Sequence, residues 1–230
     1  MQLTKRPVLD ASRTSSKDEG PSKIDSFRAA CLSVSNAILQ FPLLFEIQQR
    51  CFQQPGILRH EVEQELLSQD PAEEFTVLDY GCGTGTYAGI FSPRNYVGID
   101  ANQPMLDRAS QQHKEHTFIQ ATDLTGIHDV ISKVSHVLMV GVVHHLPDEA
   151  CLSILSSLPS ARPLKILTID TLKCTSGPGK LIQLFERGEH LRTEEDHKKL
   201  LNKAAVETGY KKVPYGKWFE LAIFRGVIGK

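Results

Sequence analysis

The stretch VLDYGCGTGTYAGI, residues 77–90, sets Asp79 at the end of an apolar run and follows it with glycines at 81, 83 and 85. A missing Cβ lets backbone N–H groups approach a bound molecule closely. Many such turns hold phosphate, and a dinucleotide fingerprint or a plain loop turn gives similar spacing. Asp79 argues for a different guest. A carboxylate ~6 Å from a phosphate charge costs roughly 3 kcal/mol at an effective dielectric of ~20. A pyrophosphate is therefore disfavoured, and a ligand carrying an ammonium and a sulfonium is favoured.

Two further acids end the next two apolar runs. NYVGID (95–100) closes on Asp100, at the distance where an acid accepts both hydroxyls of a ribose. HTFIQATD (116–123) closes on Asp123, positioned to accept a hydrogen bond from the exocyclic amine of adenine. An amino-acid head, a ribose and an adenine are the parts of S-adenosylmethionine. Each acid alone has a plainer reading, Asp100 as a helix N-cap and Asp123 as a turn former. Their joint occurrence at consecutive strand ends favours the ligand.

The fourth run, SHVLMVGVV (135–143), leads into His144 and His145. Imidazole titrates near neutrality, so either ring suits a general base toward a phenol, a carbon acid or a protonated amine. The plainer reading is a pair that packs on the next helix or bonds backbone. Of the two, His145 is the preferred base.

These residues need a scaffold that brings strand ends together. The runs at 75–81, 95–100, 116–123, 135–143 and 164–171 are nearly continuous in apolar character, and helical stretches such as QPMLDRASQQH and PDEACLSILSSL separate them. That texture predicts a parallel sheet covered on both faces, a doubly wound α/β domain beginning near residue 72. Ahead of it, Phe27, Cys31, Val34, Ile38 and Phe41 recur at helical spacing, as do Leu44, Ile47 and Cys51, then Leu58, Val62 and Leu66. Residues 24–71 are thus expected as an N-terminal helical cap of three short helices, after a disordered tail over 1–23. Near the C-terminus, Thr193 with Asp196 resembles a capping box and Gly209 suits a C′ position, so a helix is expected between them. The chain should then close as two strands, the last over 220–225.

Bulk composition fits one soluble domain. The 230 residues are 40% hydrophobic and 23% charged, with a net charge of −1. No basic surplus announces a nucleic-acid partner, and no apolar run is long enough for membrane insertion. Five cysteines without CxxC spacing point to reduced thiols and a cytoplasmic setting, and no metal site is expected.

In order and spacing, VLDYGCGTGTY, YVGIDANQPMLDRA, FIQATDL and VLMVGVVHHLPDE resemble the successive motifs of class I S-adenosylmethionine-dependent methyltransferases, over roughly residues 75–171. FERGEHLRTEEDHKKLL is similar, more faintly, to small-molecule members of bacterial type. The resemblance implies a Rossmann-like seven-stranded sheet with an antiparallel last strand. It implies Asp79, Gly81, Gly83 and Gly85 around the methionine end of the cofactor, with Thr84 counted in the same loop, and Asp100 on the ribose. Ala101 and Met105 would pack on the adenine, and Asp123 with Leu124 would cover its edge. Many relatives carry a Pro-Gly-Gly turn before the fifth strand, where this chain has PSARPLK. The [DN]-P-P-[YFW] segment of enzymes that methylate base amines or glutamine amide is absent, which argues against those acceptors.

The expected function is methyl transfer from S-adenosylmethionine to a small-molecule acceptor at oxygen, nitrogen or carbon. Its acceptor pocket should lie among the strand ends, the cap (Phe41, Phe45, Phe52), the loop 172–180, and Trp218 with Phe219. The alternatives are a protein methyltransferase, a relative that binds S-adenosylmethionine without transferring methyl, and a nucleotide-dependent oxidoreductase.

Overall fold

The computed structural model describes residues 55–67, 76–158, 163–174, 183, 190–215 and 219–229. The tail over 1–23, the cap helices expected around 27–41 and 44–51, Trp218 and most of the loop 172–180 lie outside them.

Helix α1 (Pro55–Leu67) starts on its proline, whose missing N–H costs nothing in a first turn. Leu58, Val62 and Leu66 line its buried side. The strands are β1 (Val77–Tyr80), β2 (Tyr96–Asp100), β3 (Thr117–Gln120), β4 (His136–Val140), β5 (Leu164–Thr171), β6 (Val206–Tyr215) and β7 (Phe219–Ile228). The remaining helices are α2 (Gln103–Gln112), α3 (His128–Ile131), α4 (Asp148–Ser156) and α5 (Glu194–Leu201).

One seven-stranded sheet runs in the order β3-β2-β1-β4-β5-β7-β6. The first five strands are parallel, whereas β7 is antiparallel to both β5 and β6. The doubly wound seven-stranded sheet implied by the motifs is therefore present. Winding reverses between β1 and β4, which places the natural ligand crevice beyond the C-terminal end of β1. One face of the sheet packs on α1, where Leu58, Val62 and Leu66 meet Val77, Leu138, Ile169 and Ile223. The opposite face carries Leu78, Val137, Ile166 and Phe224 against α3, α4 and α5.

Two local readings change. The helix expected from Thr193 to near Gly209 stops at Leu201. Its N-cap is real, since Asp196 N donates to Thr193 Oγ1 at 3.2 Å and the Thr193 hydroxyl donates to Asp196 Oδ2 at 2.7 Å. Beyond it Val206, Tyr210 and Val213, β-branched or aromatic, join β6 and pair along β7, with Thr208 skipped at a register shift. Gly209 is thus no helix cap. It sits beside a register shift in β6, where a Cβ would run into the Arg225 guanidinium. Strand β7 also extends past the expected 220–225, because β5 and β6 pair with it from both sides. Residues 81–95 form turns and two short 3-10 segments, Ala88–Ile90 and Pro93–Asn95.

Candidate active site

The glycine loop leaves β1 with Gly81, Gly83 and Gly85 all in the left-handed region, at φ 74°, 54° and 75°. Non-glycine residues are strained there. Space forbids side chains as well: a Cβ on Gly81 would lie 2.6 Å from Val142 Cγ2. Gly81 N and Cys82 N donate to Ile99 O at 2.7 and 2.9 Å, which bends the loop over the end of β2.

Asp100 receives that loop. Its Oδ2 accepts from Gly83 N at 2.9 Å and its Oδ1 from Asn102 N at 2.8 Å. Each carboxylate oxygen has a second lone pair, so the clamp is compatible with further hydroxyl donors.

Register puts Asp79 beside Gly98 and on the same face of the sheet as Asp100. Gly98 has to be bare, because a Cβ there would meet Phe118 and Cys82 at 2.8 and 2.9 Å. Asp79 is 1% exposed and accepts a hydrogen bond from Tyr96 Oη at 2.7 Å. Burial pushes its carboxyl up to about 7; the Tyr96 bond works against that rise, and the Asp100 charge adds to it. Asp79 is therefore a buried acid held by Tyr96, and a cation brought beside it would favour its ionised form.

Asp123 stands farther out. Its Oδ1 accepts from Thr125 N at 2.7 Å in a tight turn, which lowers the pKa of this exposed acid. Tyr80 links it to the rest: its hydroxyl donates to Thr122 O at 2.8 Å. Burial, then the charges of Asp123 and Asp100, push that phenol up to about 12. Thr84, Met105 and Leu124 are buried, while Ala101 is exposed at the entry to α2. Asp79, the glycine loop and Asp100 thus form one cluster, and Asp123 with Leu124 lies beyond Tyr80.

The end of β4 carries the histidines on a short 3-10 turn, Val143–His145. Sequence reasoning overlooked the group that holds it. Asp170, 1% exposed at the end of β5, accepts from Val143 N at 2.7 Å and His144 N at 3.3 Å, and its Oδ1 meets His144 Nδ1. Burial alone would raise this carboxyl; the His144 ring and the Val143 amide outweigh burial and keep it below the usual carboxylate range. The His145 ring lies 4.0 Å from the His144 ring, centroid to centroid, and is exposed. Arg192 was missed too. Its guanidinium donates to Val143 O and Leu146 O, both at 2.7 Å, and doubly to Asp148 Oδ1. Asp170 had a signal, an acid closing an apolar strand as Asp100 does. Arg192 had none.

This donor set fits a cationic, hydroxylated nucleoside. Asp79 and Asp100 flank the left-handed glycine loop, and the Arg192 guanidinium is engaged by carbonyls and Asp148 instead. Residues 77–161 match a family model described as a methyltransferase domain. Similar solved structures include magnesium protoporphyrin IX methyltransferase (ChlM) from Synechocystis PCC 6803 with bound SAH. It is 19% identical with a TM-score of 0.54, over 75% of this chain and 82% of that one. A SAM-dependent methyltransferase from Anabaena variabilis is 17% identical with a TM-score of 0.54, over 75% and 84%. Geranyl diphosphate C-methyltransferase from Streptomyces coelicolor is 12% identical with a TM-score of 0.56, over 73% and 80%. No curated protein matches the chain. At these identities the structural likeness is one of fold. The matched model and the sheet order agree: residues 77–161 match a methyltransferase domain, and they lie on a Rossmann-like seven-stranded sheet of the kind those solved structures share.

Proposed function

We propose that the protein transfers the methyl group of S-adenosylmethionine to a nucleophilic oxygen, nitrogen or carbon of a small molecule. The observation that carries this reading is the cluster of Asp79, the left-handed glycine loop and the Asp100 clamp at the reversal of winding. The small-molecule preference draws support from the similar folds named for magnesium protoporphyrin IX and geranyl diphosphate. The near-neutral net charge gives no pull toward RNA.

Bound there, S-adenosylmethionine supplies a methyl group already activated on a sulfonium. The chain's task is then chiefly alignment. Asp79 with Gly81, Gly83, Thr84 and Gly85 holds the methionine end, Asp79 meeting the ammonium. Asp100 takes the ribose hydroxyls. Ala101 and Met105 flank the adenine, and Asp123 with Leu124 closes its edge. His144 and His145, at the end of the neighbouring strand, serve acceptors that must lose a proton. Residues 24–71 belong to this reading as a cap that shields the reaction from water, and the cytoplasm as its setting.

Calorimetry with S-adenosylhomocysteine and with NAD tests the donor site, and only the first should bind. Release of S-adenosylhomocysteine with a panel of small phenols, amines and carbon acids, compared with a peptide mixture, tests the acceptor class. Release with peptides alone, or binding without release in any mixture, overturns the proposal.

A further inference from the structure

Asp170 binds the turn after β4 in two ways. Its contacts with Val143 N and His144 N fix the carboxylate against main chain, and its contact with His144 Nδ1 fixes the ring. A carboxylate only accepts, so the neutral imidazole that faces it carries its proton on Nδ1. Nε2 is then the basic nitrogen. We infer that Asp170 is the positioning residue that makes His144, rather than His145, the proton acceptor of the reaction, an inference that rests on the methyl-transfer reading above.

Every group around the pair is consistent with this role. Arg192 sits on the segment before α5, but its guanidinium is engaged by Asp148 and by the carbonyls of Val143, His190 and Leu146. His197, on α5, is 2% exposed, and burial depresses its pKa, so it is a poor counter-ion for Asp170. Cys151, on α4, is kept a thiol, with its pKa pushed up to about 11 chiefly by burial. His145 shares the turn and faces outward. His144 is therefore the imidazole positioned to share the Asp170 charge.

The step balances simply. The acceptor's proton passes to His144 Nε2. The electron pair left on the acceptor atom forms the bond to the methyl carbon, and the pair of the broken carbon–sulfur bond stays on sulfur. The resulting imidazolium rests against the Asp170 carboxylate until it returns the proton to solvent.

Asp170→Asn is the informative variant. Its side-chain oxygen keeps an acceptor for Val143 N, while its NH2 group turned to Nδ1 forces the ring proton onto Nε2, the wrong tautomer for a base. Nitrogen-15 NMR of the full chain should show His144 as the Nδ1–H tautomer in the wild type. In D170N it should be the Nε2–H tautomer, with its titration midpoint lower by about one pH unit or more. Affinity for S-adenosylhomocysteine should stay within about threefold of wild type. With phenols of graded acidity as acceptors, the loss of turnover in D170N should grow as the phenol becomes less acidic. Asp170→Glu, which restores the charge, should recover part of it.

An unmoved tautomer and titration in D170N overturns the assignment. So does an equal loss for every phenol, which is the mark of a purely structural residue. If the wild type binds S-adenosylhomocysteine but methylates no phenol, it is the methyl-transfer reading toward such acceptors that fails. The NMR comparison still decides the pairing.

Discussion

Tyr96 gives its hydroxyl hydrogen to Asp79 at 2.7 Å, and both side chains are 1% exposed. A carboxyl so placed is destabilised once charged. Its pKa is raised from 3.8 to about 7, so the stability it contributes is fully present below 3.8 and is lost as pH rises through 7. Free of ligand, the protein should therefore weaken by a few kcal/mol across this window, since a tenfold change in proton affinity is worth about 1.4 kcal/mol. Asp79→Asn, which still accepts from Tyr96, should remove the decline. Urea unfolding at pH 5 and pH 8 should find D79N more stable than wild type at the higher pH, yet much weaker in binding S-adenosylhomocysteine. A wild-type curve flat over that range would refute the buried acid.

Gly81 presents a second trade between fold and ligand. Gly81→Ala must hold a side chain at φ 74° and also push Val142 aside. Each strain is on the order of 1–3 kcal/mol. Val142→Ala in the same chain should relieve the clash and leave the backbone strain. Thermal unfolding should rank wild type above G81A/V142A, and the double variant above G81A. Full recovery in the double variant would mean that φ carries no cost.

The strands were legible because a parallel strand buried on both faces is simply an apolar run, and Val77, Leu78, Ile99 and Leu138 are buried as that rule requires. Acids closing such runs were legible for the same reason, since Asp79 and Asp100 interrupt a pattern. The helix after Thr193 was read too long: its start has a local signal in the capping box, whereas its end is set by pairing between β6 and β7, distant in the pattern that periodicity samples. Arg192 lies forty-four residues beyond Asp148, its partner, and no spacing rule connects them. Contacts made by tertiary packing leave no periodic trace.

Arg192 should be among the costlier side chains to remove. It is 9% exposed, and its guanidinium satisfies the carbonyls of Val143 and Leu146 along with Asp148. Arg192→Ala leaves those acceptors without their donor, a loss of roughly 2–4 kcal/mol. Lysine cannot reproduce the fork and should recover little. Hydrogen exchange at residues 143–146 should quicken in both variants. Unchanged protection there would detach Arg192 from the histidine turn.

His144→Ala and His145→Ala separate the two rings directly. If His144 is the base, its removal should cut turnover at least about a hundredfold with affinity for S-adenosylhomocysteine kept, and loss of His145 should cost far less. The reverse order would hand the role to the exposed ring.

Helix α1 is held to the sheet by two kinds of contact whose weights differ. Glu65 faces Lys211 Nζ at 3.2 Å and Arg225 Nη1 at 3.0 Å, while Val62, 0% exposed, is packed among Val77, Tyr215 and Leu221. The two cations are more than a third exposed, so solvent screens the ion pairs, and Glu65→Gln should cost no more than about 1 kcal/mol. Val62→Ala strips buried methyl groups and leaves a cavity, at roughly 2 kcal/mol or more. Urea unfolding should therefore find V62A weaker than E65Q, with added salt narrowing the gap between E65Q and wild type. Were E65Q the weaker protein, the charged contacts rather than the apolar stripe would hold α1 in place.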